Sequence, residues 1–348
     1  MLLAELQQLS ISDTVKTPSE EVQACCILAR EKLERGEYDA ARSILQQWWP
    51  IGDWPNHDGL TDAAAADLLF SAGTITGWLA SASQIQDGQK IAEALLNGSI
   101  VLFERLRHRD RATEGQIELA CCYWRQGLFE LARKLLRSAL QKLSSGQREL
   151  RLIALVRLAL IERHAGRLQD ALALFKEAAP LLAECSVWTA GRFHQEFATA
   201  LKNIGLAEGK DFYVQAALEH YEEALSLFEK IGNRRYVAIV ENNHGYLLLS
   251  LGRFVEAQVH LERSRELFDC LGDGVRRAQV DETLAQLHLA SQRYSLARHA
   301  VNEALETLEN SGEEALLAEA LTTQGLVLCK LGRRHEAKPV LQRAQRVA

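Results

Sequence analysis

Small residues recur along this chain at fixed places with a period near 40. With Ala132 as an anchor, equivalent alanines stand at Ala41, Ala92, Ala171, Ala217, Ala257, Ala297 and Ala337, separated from Ala41 onward by 51, 40, 39, 46, 40, 40 and 40 residues. Twelve residues before each anchor stands another small residue: Ala29, Ala80, Ala120, Ala159, Gly205, Gly245, Ala285 and Gly325. Seven residues after it come Trp48, Ser99, Ala139, Ala178, Ala224, Ser264, Ala304 and Ala344, so Trp48 alone breaks the rule. Five units also carry glycine five before the anchor (Gly36, Gly127, Gly166, Gly252, Gly332), and Tyr38, Phe129, Phe254 and Tyr294 stand three before it. A repeat of this kind fixes the architecture before any single residue is interpreted.

The spacing predicts pairs of antiparallel helices that approach closely at the small residues. The glycine between them supplies the left-handed conformation that ends the first helix. Leu136, Phe175, Tyr221, Leu261 and Leu341, four after their anchors, are placed to fill the space beside each contact. One such pair cannot bury its own apolar face; stacking successive pairs buries it and yields a solenoid.

The segments IELACCYWRQGLFELARKLLRSAL, ENNHGYLLLSLGRFVEAQVHLERS and ALTTQGLVLCKLGRRHEAKPVLQRA carry this pattern best. In them the chain resembles the tetratricopeptide repeat family, specifically long-period arrays like those of bacterial regulatory proteins. The resemblance implies an all-α, right-handed superhelical solenoid of about eight helix pairs. The expected organisation is an N-terminal extension over 1–21 and repeats near 22–55, 73–112, 113–151, 152–190, 198–237, 238–277, 278–317 and 318–348. Units of this family usually run about 34 residues, whereas about 40 is usual for HEAT and armadillo units. The internal spacing decides for the former, with the additional residues expected in the second helix and its exit loop. Pro50 and Pro55 account for the first long step, and the second predicts a bend near 184–194. The last repeat stops four residues after Ala344 without a polar capping helix, which predicts a continuation beyond Ala348.

Composition closes other routes. Of 348 residues, 47% are hydrophobic and 25% charged, which excludes wholesale disorder. Only 5 prolines are present, too few for a turn-dense β-sandwich. A net charge of −6 gives no global attraction to nucleic acid or anionic lipid. The N-terminus lacks the basic and apolar regions of a signal peptide. Leu68 to Gln86 is uncharged and nearly long enough to span a membrane, but its serines, threonines, glycines and glutamines and its place in the repeat predict a core helix. The seven cysteines, in an odd number with no metal-binding spacing, read as free thiols packed in a cytoplasmic protein.

The chain shows no Walker A loop, GxGxxG, HExxH or G-x-S-x-G. Gln23-Ala24-Cys25 lacks the following glycine and an upstream histidine, since none precedes His57, so Cys25 reads as a packing residue. His244, His288 and His335 read as surface or helix-end residues, and the pairs Glu222-Glu223 and Glu313-Glu314 as solvated faces. No catalytic residue, metal site or cofactor is therefore expected.

With chemistry absent, function falls to the concave face. By the resemblance, positions 2, 5, 6, 9, 12 and 13 of each first helix line it, counting the small residue twelve before the anchor as position 8. This assigns Trp78, Glu118, Trp124, Arg125, Arg157, Arg163, His164, Lys202, Asn203, Asn242, Asn243 and Tyr246 to a groove. Asn203 and Asn243 share position 6 one period apart, and an asparagine amide can donate to and accept from a peptide unit. Arg157, Arg163 and Lys202 are expected to hold a carboxylate. The expected partner is a protein or peptide segment, with no membrane. A second reading makes the chain the sensor portion of a polypeptide whose effector domain follows residue 348. A third gives a basic edge of Arg105, Arg107, Arg109, Arg111, Arg234, Arg235, Arg276 and Arg277 to nucleic acid; ion pairing between repeats is the preferred account of these arginines.

Overall fold

The computed structural model describes residues 17–50, 53–83 and 87–348, and among these every regular element is helical. Residues 1–16 of the expected N-terminal extension, and Gln84 to Gln86 of the uncharged run, lie outside the described residues. Two compact units divide the chain, Met1–Thr189 and Ala190–Ala348.

In the first unit, helix α1 (Pro18–Glu34) pairs with α2 (Tyr38–Leu45), α3 (Asp62–Ser83) with α4 (Gly88–Arg105), α5 (Arg109–Arg125) with α6 (Phe129–Lys142), and α7 (Arg148–His164) with α8 (Leu168–Ala178). A 3-10 turn over Ala179–Glu184 follows, and α9 (Val187–Glu208) begins three residues later. In the second unit α9 faces α10 (Asp211–Lys230), and the remaining hairpins are α11 (Arg234–Ser250) with α12 (Phe254–Cys270), α13 (Gly274–Ala290) with α14 (Tyr294–Leu308), and α15 (Glu314–Lys330) with α16 (Arg334–Val347). Each repeat is thus one pair of adjacent helices.

Local chemistry sets the helix ends. Thr17 and Glu20 form a capping box before Pro18, which occupies the first turn of α1 where its missing N–H costs nothing. Asn233 and Asp273, one period apart, accept from the backbone N–H groups of Tyr236 and Arg276 and so open α11 and α13. The five glycines ahead of the anchors all have φ between 73° and 78°. Asp87 and Gln292 occupy the same place in the second and seventh repeats and keep the left-handed conformation, with φ of 54° and 61°. The turn geometry is thus a property of the hairpin, imposed even where the residue resists it.

Packing follows the small residues. All eight anchor alanines are buried, as are Ser99, Ala139, Ala178, Ala224, Ser264, Ala304 and Ala344 seven places on. The two serines stand in for alanine by donating to helix carbonyls: Ser99 to Ala66 at 2.9 Å, Ser264 to Ala238 at 2.7 Å. After the first anchor, Trp49 is the fully buried residue, and Trp48 packs beside it half-buried. In the sixth repeat a Cβ on Gly245 would meet Leu261 Cγ at 2.7 Å, which shows how close the two helices run.

Two repeats depart from the expected register. α3 starts at Asp62 where 73 was expected, and α9 at Val187 where 198 was expected. Both long steps therefore lengthen the first helix of the following repeat, and the expected bend near 184–194 is confined to the turn before Val187. In the second repeat the contact also slides along α3. A Cβ on Gly77 would lie 3.7 Å from that of Ala92, and one on Gly73 would meet Leu96 at 2.9 Å and Leu95 at 3.2 Å, while Ala80 is only half-buried. In the fifth repeat Gly205 faces Val214, and the left-handed residue is Gly209. The first helices of the five repeats beginning at α5, α7, α11, α13 and α15 are uniformly 17 residues long, so the extra length is shared by both helices rather than held in the second.

α3 accounts for the uncharged run. Asp62–Ala80 is long and apolar enough to cross a membrane by composition, and 72% of it is buried inside the unit. Cys25, Cys26 and Cys122 are core residues, and burial pushes the Cys26 and Cys122 thiols up to about 12. Cys270 and Cys329 are exposed, contrary to the expectation of packed thiols.

Candidate functional site

The groove candidates divide between the units, and the two sets differ in how their polar atoms are used. In the first unit they are committed to one another. Arg157 on α7 donates to the Glu118 carboxylate on α5 at 2.6 Å and to the Ile117 carbonyl at 2.8 Å. That pair holds the arginine charge firmly and spends the donors expected to grip a ligand carboxylate; burial itself opposes the charge, and Glu118 outweighs it. Trp78 stacks on Tyr38 with centroids 5.9 Å apart and lies under the Arg125 guanidinium at 4.7 Å. Trp124 meets His164 edge-on at 5.4 Å, and His164 lies 3.3 Å from Arg163. These contacts join successive repeats. Arg157 and Arg163 belong to the first unit and Lys202 to the second, so the expected trio is not one cluster of a single unit.

In the second unit Lys202 on α9 places its ammonium 4.9 Å from the Tyr246 ring centroid on α11. Asn203 and Asn243 are half-buried, and neither amide hydrogen-bonds to any described residue. Asn242 stands one period after Lys202, in the same register; its Oδ1 is buried without a partner. Both amides thus keep their donors and acceptors available to solvent or to a ligand.

The same two positions continue beyond the residues singled out from sequence. Position 6 runs Asn203, Asn243, Thr283, Thr323, and position 9 runs Leu206, Tyr246, Gln286, Leu326, each at steps of 40. Leu206, Tyr246 and Leu326 are 42%, 37% and 48% exposed. Thr323 on α15 donates to Glu282 on α13 at 2.6 Å, and α11 packs against α13 and α13 against α15. The position-6 row of unit 2 is therefore polar, with Thr283 and Thr323 buried, and the position-9 row beside it is apolar except for Gln286. Thr283, Gln286, Thr323 and Leu326 lie one and two periods beyond the residues singled out from sequence, and carrying the period on finds them; Leu206, at position 9 of α9, was passed over as an apolar residue.

Half of the basic edge is ion-paired. Arg111 pairs with Asp67 at 2.8 Å and with Glu114; Arg235 pairs with Asp273; Arg277 lies 3.3 Å from Asp269 and 3.6 Å from Asp281; Arg105 is 3.9 Å from Asp62; and Arg276 donates to Gln279 at 2.8 Å. Arg107, Arg109 and Arg234 are exposed. Pairing between neighbouring elements thus accounts for Arg105, Arg111, Arg235 and Arg277, and leaves the other four unpaired by acids among the described residues.

The histidines correct the sequence reading. His244 is 4% exposed, stacked between Tyr221 at 5.8 Å and His260 at 4.2 Å, with Nδ1 unpartnered. His194 and His220 touch through their Nδ1 atoms at 2.8 Å. Burial holds His194 and His244 down to about 4, and His220 is lowered by the same cause. His335 is exposed, as expected, and no group of three metal-ligating side chains occurs among the described residues.

Known structures agree with this architecture. The apo quorum sensor NprR from B. thuringiensis aligns over 99% of this chain and 92% of its own, with a TM-score of 0.61 and 15% identity. A Rap protein complexed with competence and sporulation factor aligns over 99% and 91%, with a TM-score of 0.59 and 13% identity. A STAND signal-transduction ATPase from Pyrococcus horikoshii with a tetratricopeptide repeat sensor aligns over 90% of this chain but 46% of its own, with a TM-score of 0.58 and 16% identity. At these identities the likeness concerns the fold. No curated protein matches the chain in sequence. Residues 196–269, which hold α10 and α11 and most of α9 and α12, match the tetratricopeptide repeat itself. Over these residues the chain matches the tetratricopeptide repeat, and its fold is the all-helical repeat fold of the structures above.

Proposed function

We propose that this chain is a non-catalytic recognition module that binds an extended peptide or protein segment on the first-helix face of its second unit. The observation that carries the reading is the pair of unspent amides, Asn203 and Asn243, one period apart beside the exposed row of Leu206, Tyr246 and Leu326. An extended chain presents a peptide unit and a side chain alternately, and the two rows match that alternation. Support by analogy comes from the Rap protein, whose structure contains competence and sporulation factor, and from the sensor role named for the repeats of the Pyrococcus ATPase. The latter also keeps open an effector domain on the same polypeptide, acting in the cytoplasm.

The test is binding of a randomised octapeptide pool to the purified chain, measured by thermophoresis. Asn203→Ala combined with Asn243→Ala is expected to weaken binding at least tenfold while leaving helicity and melting temperature unchanged. Unaltered binding by a folded double variant contradicts the assignment.

A further inference from the structure

We infer that a cleft between the second helices α14 and α16 is a carboxylate site, in which a ligand anion takes the place of a glutamate found at the equivalent junction of the first unit. It is a second site: Gln324 and Leu328, its residues from α15, stand at positions 7 and 11, outside the six positions of the groove.

The precedent lies within the chain. Arg133 stands one residue after its anchor on α6, and Glu162 and Arg167 stand nine and four before the next anchor. The three meet across the junction of the third and fourth repeats. Glu162, 2% exposed, accepts from Arg133 Nε at 2.7 Å and from Arg167 Nε at 2.5 Å. One buried carboxylate is thus held by two guanidiniums, the pairing in which charge-assisted hydrogen bonds are strongest. The same places converge in the second unit, where Gln258, one after Ala257, accepts from Arg293, four before Ala297, at 3.1 Å.

Between the seventh and eighth repeats these places hold Arg298, Leu328 and Arg333. Both arginines are kept, and an apolar side chain stands where the carboxylate was. Together with Asn302, Gln324, Glu336 and Val340 they line a cleft of about 360 Å³, within the range of small-ligand sites. Arg298 has no hydrogen bond or ion pair among the described residues, whereas Arg133 has Glu162 and also Glu130 three residues before it. The residue three before Arg298 is Ser295. Arg333 pairs with Glu336 at 2.5 and 2.6 Å. Arg167 has an acid at the same offset, Asp170 at 3.9 Å, and holds Glu162 nonetheless. The lining therefore carries two positive charges against one negative. Asn302 accepts from Gln324 at 3.0 Å, which leaves its own amide N–H groups unspent. Leu328 and Val340 add apolar wall beside these donors. The arrangement suits a carboxylate on a short aliphatic stem, its oxygens on Arg298 and Arg333 and its methylenes on Leu328 and Val340.

That carboxylate has two sources, a free dicarboxylate or an acidic side chain of a protein segment. Glutarate and the acetylated, amidated peptide Gly-Gly-Glu-Gly-Gly are titrated into the full chain at constant ionic strength. Glutaramide and the same peptide with Gln for Glu are the uncharged controls, and the methyl NMR signals of Leu328 and Val340 are followed. At least one carboxylate probe is expected to give a saturable shift that its control lacks, and the tighter of the two names the source. Arg298→Glu is expected to weaken it by about tenfold or more, as loss of one partner of a charge pair does. Arg346→Glu, at an exposed residue of α16 outside the cleft, makes the same change in net charge and is expected to leave the shift unaltered. Should Arg298→Glu melt early, Arg298→Gln decides in its place. No saturable shift from either carboxylate, a shift shared by its uncharged control, or equal weakening by the variants at 298 and 346 overturns the inference.

Discussion

The Arg157 guanidinium on α7 bridges to α5, donating to the Glu118 carboxylate at 2.6 Å and to the Ile117 carbonyl at 2.8 Å. Both side chains are about one-fifth exposed, at 19% each, so this contact belongs to the interior of the first unit rather than to an open groove. Arg157→Met is expected to destabilise the chain by about 1–3 kcal/mol, because Glu118 loses its cation and Ile117 a donor. A double-mutant cycle with Glu118→Gln is expected to give a coupling of about 1 kcal/mol by urea unfolding. A coupling near zero would return Arg157 to the list of ligand-binding residues.

Gly245 tests the packing logic of the repeat. Glycine inside a helix normally loses roughly 1 kcal/mol to alanine. Here an added Cβ would lie 2.7 Å from Leu261 Cγ and 3.2 Å from the Ala257 carbonyl oxygen. Gly245→Ala is therefore expected to destabilise by about 1–3 kcal/mol, reversing the usual sign, since overpacking forces the two helices apart. A raised melting temperature would show that the hairpin is looser than described.

Gln292 offers the opposite substitution. It holds a φ of 61° where the sixth and eighth repeats place Gly252 and Gly332. A side chain in that conformation costs about 1 kcal/mol, and glycine removes the cost at some expense in chain entropy. Gln292→Gly is expected to raise stability by about 0.5 kcal/mol in a denaturant melt, and Gly332→Gln to lower it by a similar or larger amount.

How much of this was legible in the chain alone follows from what periodicity reports. The anchors Ala132 and Ala257 and the turn glycines Gly127 and Gly252 were readable because sterics leave so few residues at a close helix crossing or a left-handed turn. The register of α3 was not, because Ala80 and Gly77 are both small and only the length of the hairpin loop decides between them. The candidate sites were half legible. Asn203, Asn243 and Tyr246 stood out as chemistry at a fixed position, whereas Arg298 looked like any helical arginine. Its distinction lies in lacking the carboxylate that Arg133 has, and pairing across helices leaves no mark in one sequence. Arg157 failed for the same reason in reverse.

The buried histidines set the pH dependence. His194 and His244 titrate near 4 in the folded chain, lowered by burial and then by His220 and His260 respectively, and His220 is lowered mainly by burial. Unfolded, each would titrate near 6.5. Below that value the unfolded chain binds more protons, so stability is complete above pH 6.5 and falls as pH drops towards 4. Glu219 and Glu223 beside His220, Glu256 beside His244, and Glu241 on His260 oppose the loss without removing it, while Arg253 adds to it at His244. The melting temperature is expected to decline across that window, and His244→Phe, which keeps the stack on Tyr221, is expected to flatten the decline. A slope identical in the variant would assign the acid sensitivity to other groups.

Site-specific photo-crosslinking tests the central claim most directly. Benzoylphenylalanine placed at Tyr246, on the first-helix face of the second unit, is compared with the same probe at Val259, 62% exposed on α12. With the randomised octapeptide pool present, the account predicts an adduct from position 246 that Asn203→Ala with Asn243→Ala abolishes, and none from position 259. An adduct from Val259, or none from Tyr246 under conditions where the pool binds, would place recognition elsewhere and contradict it.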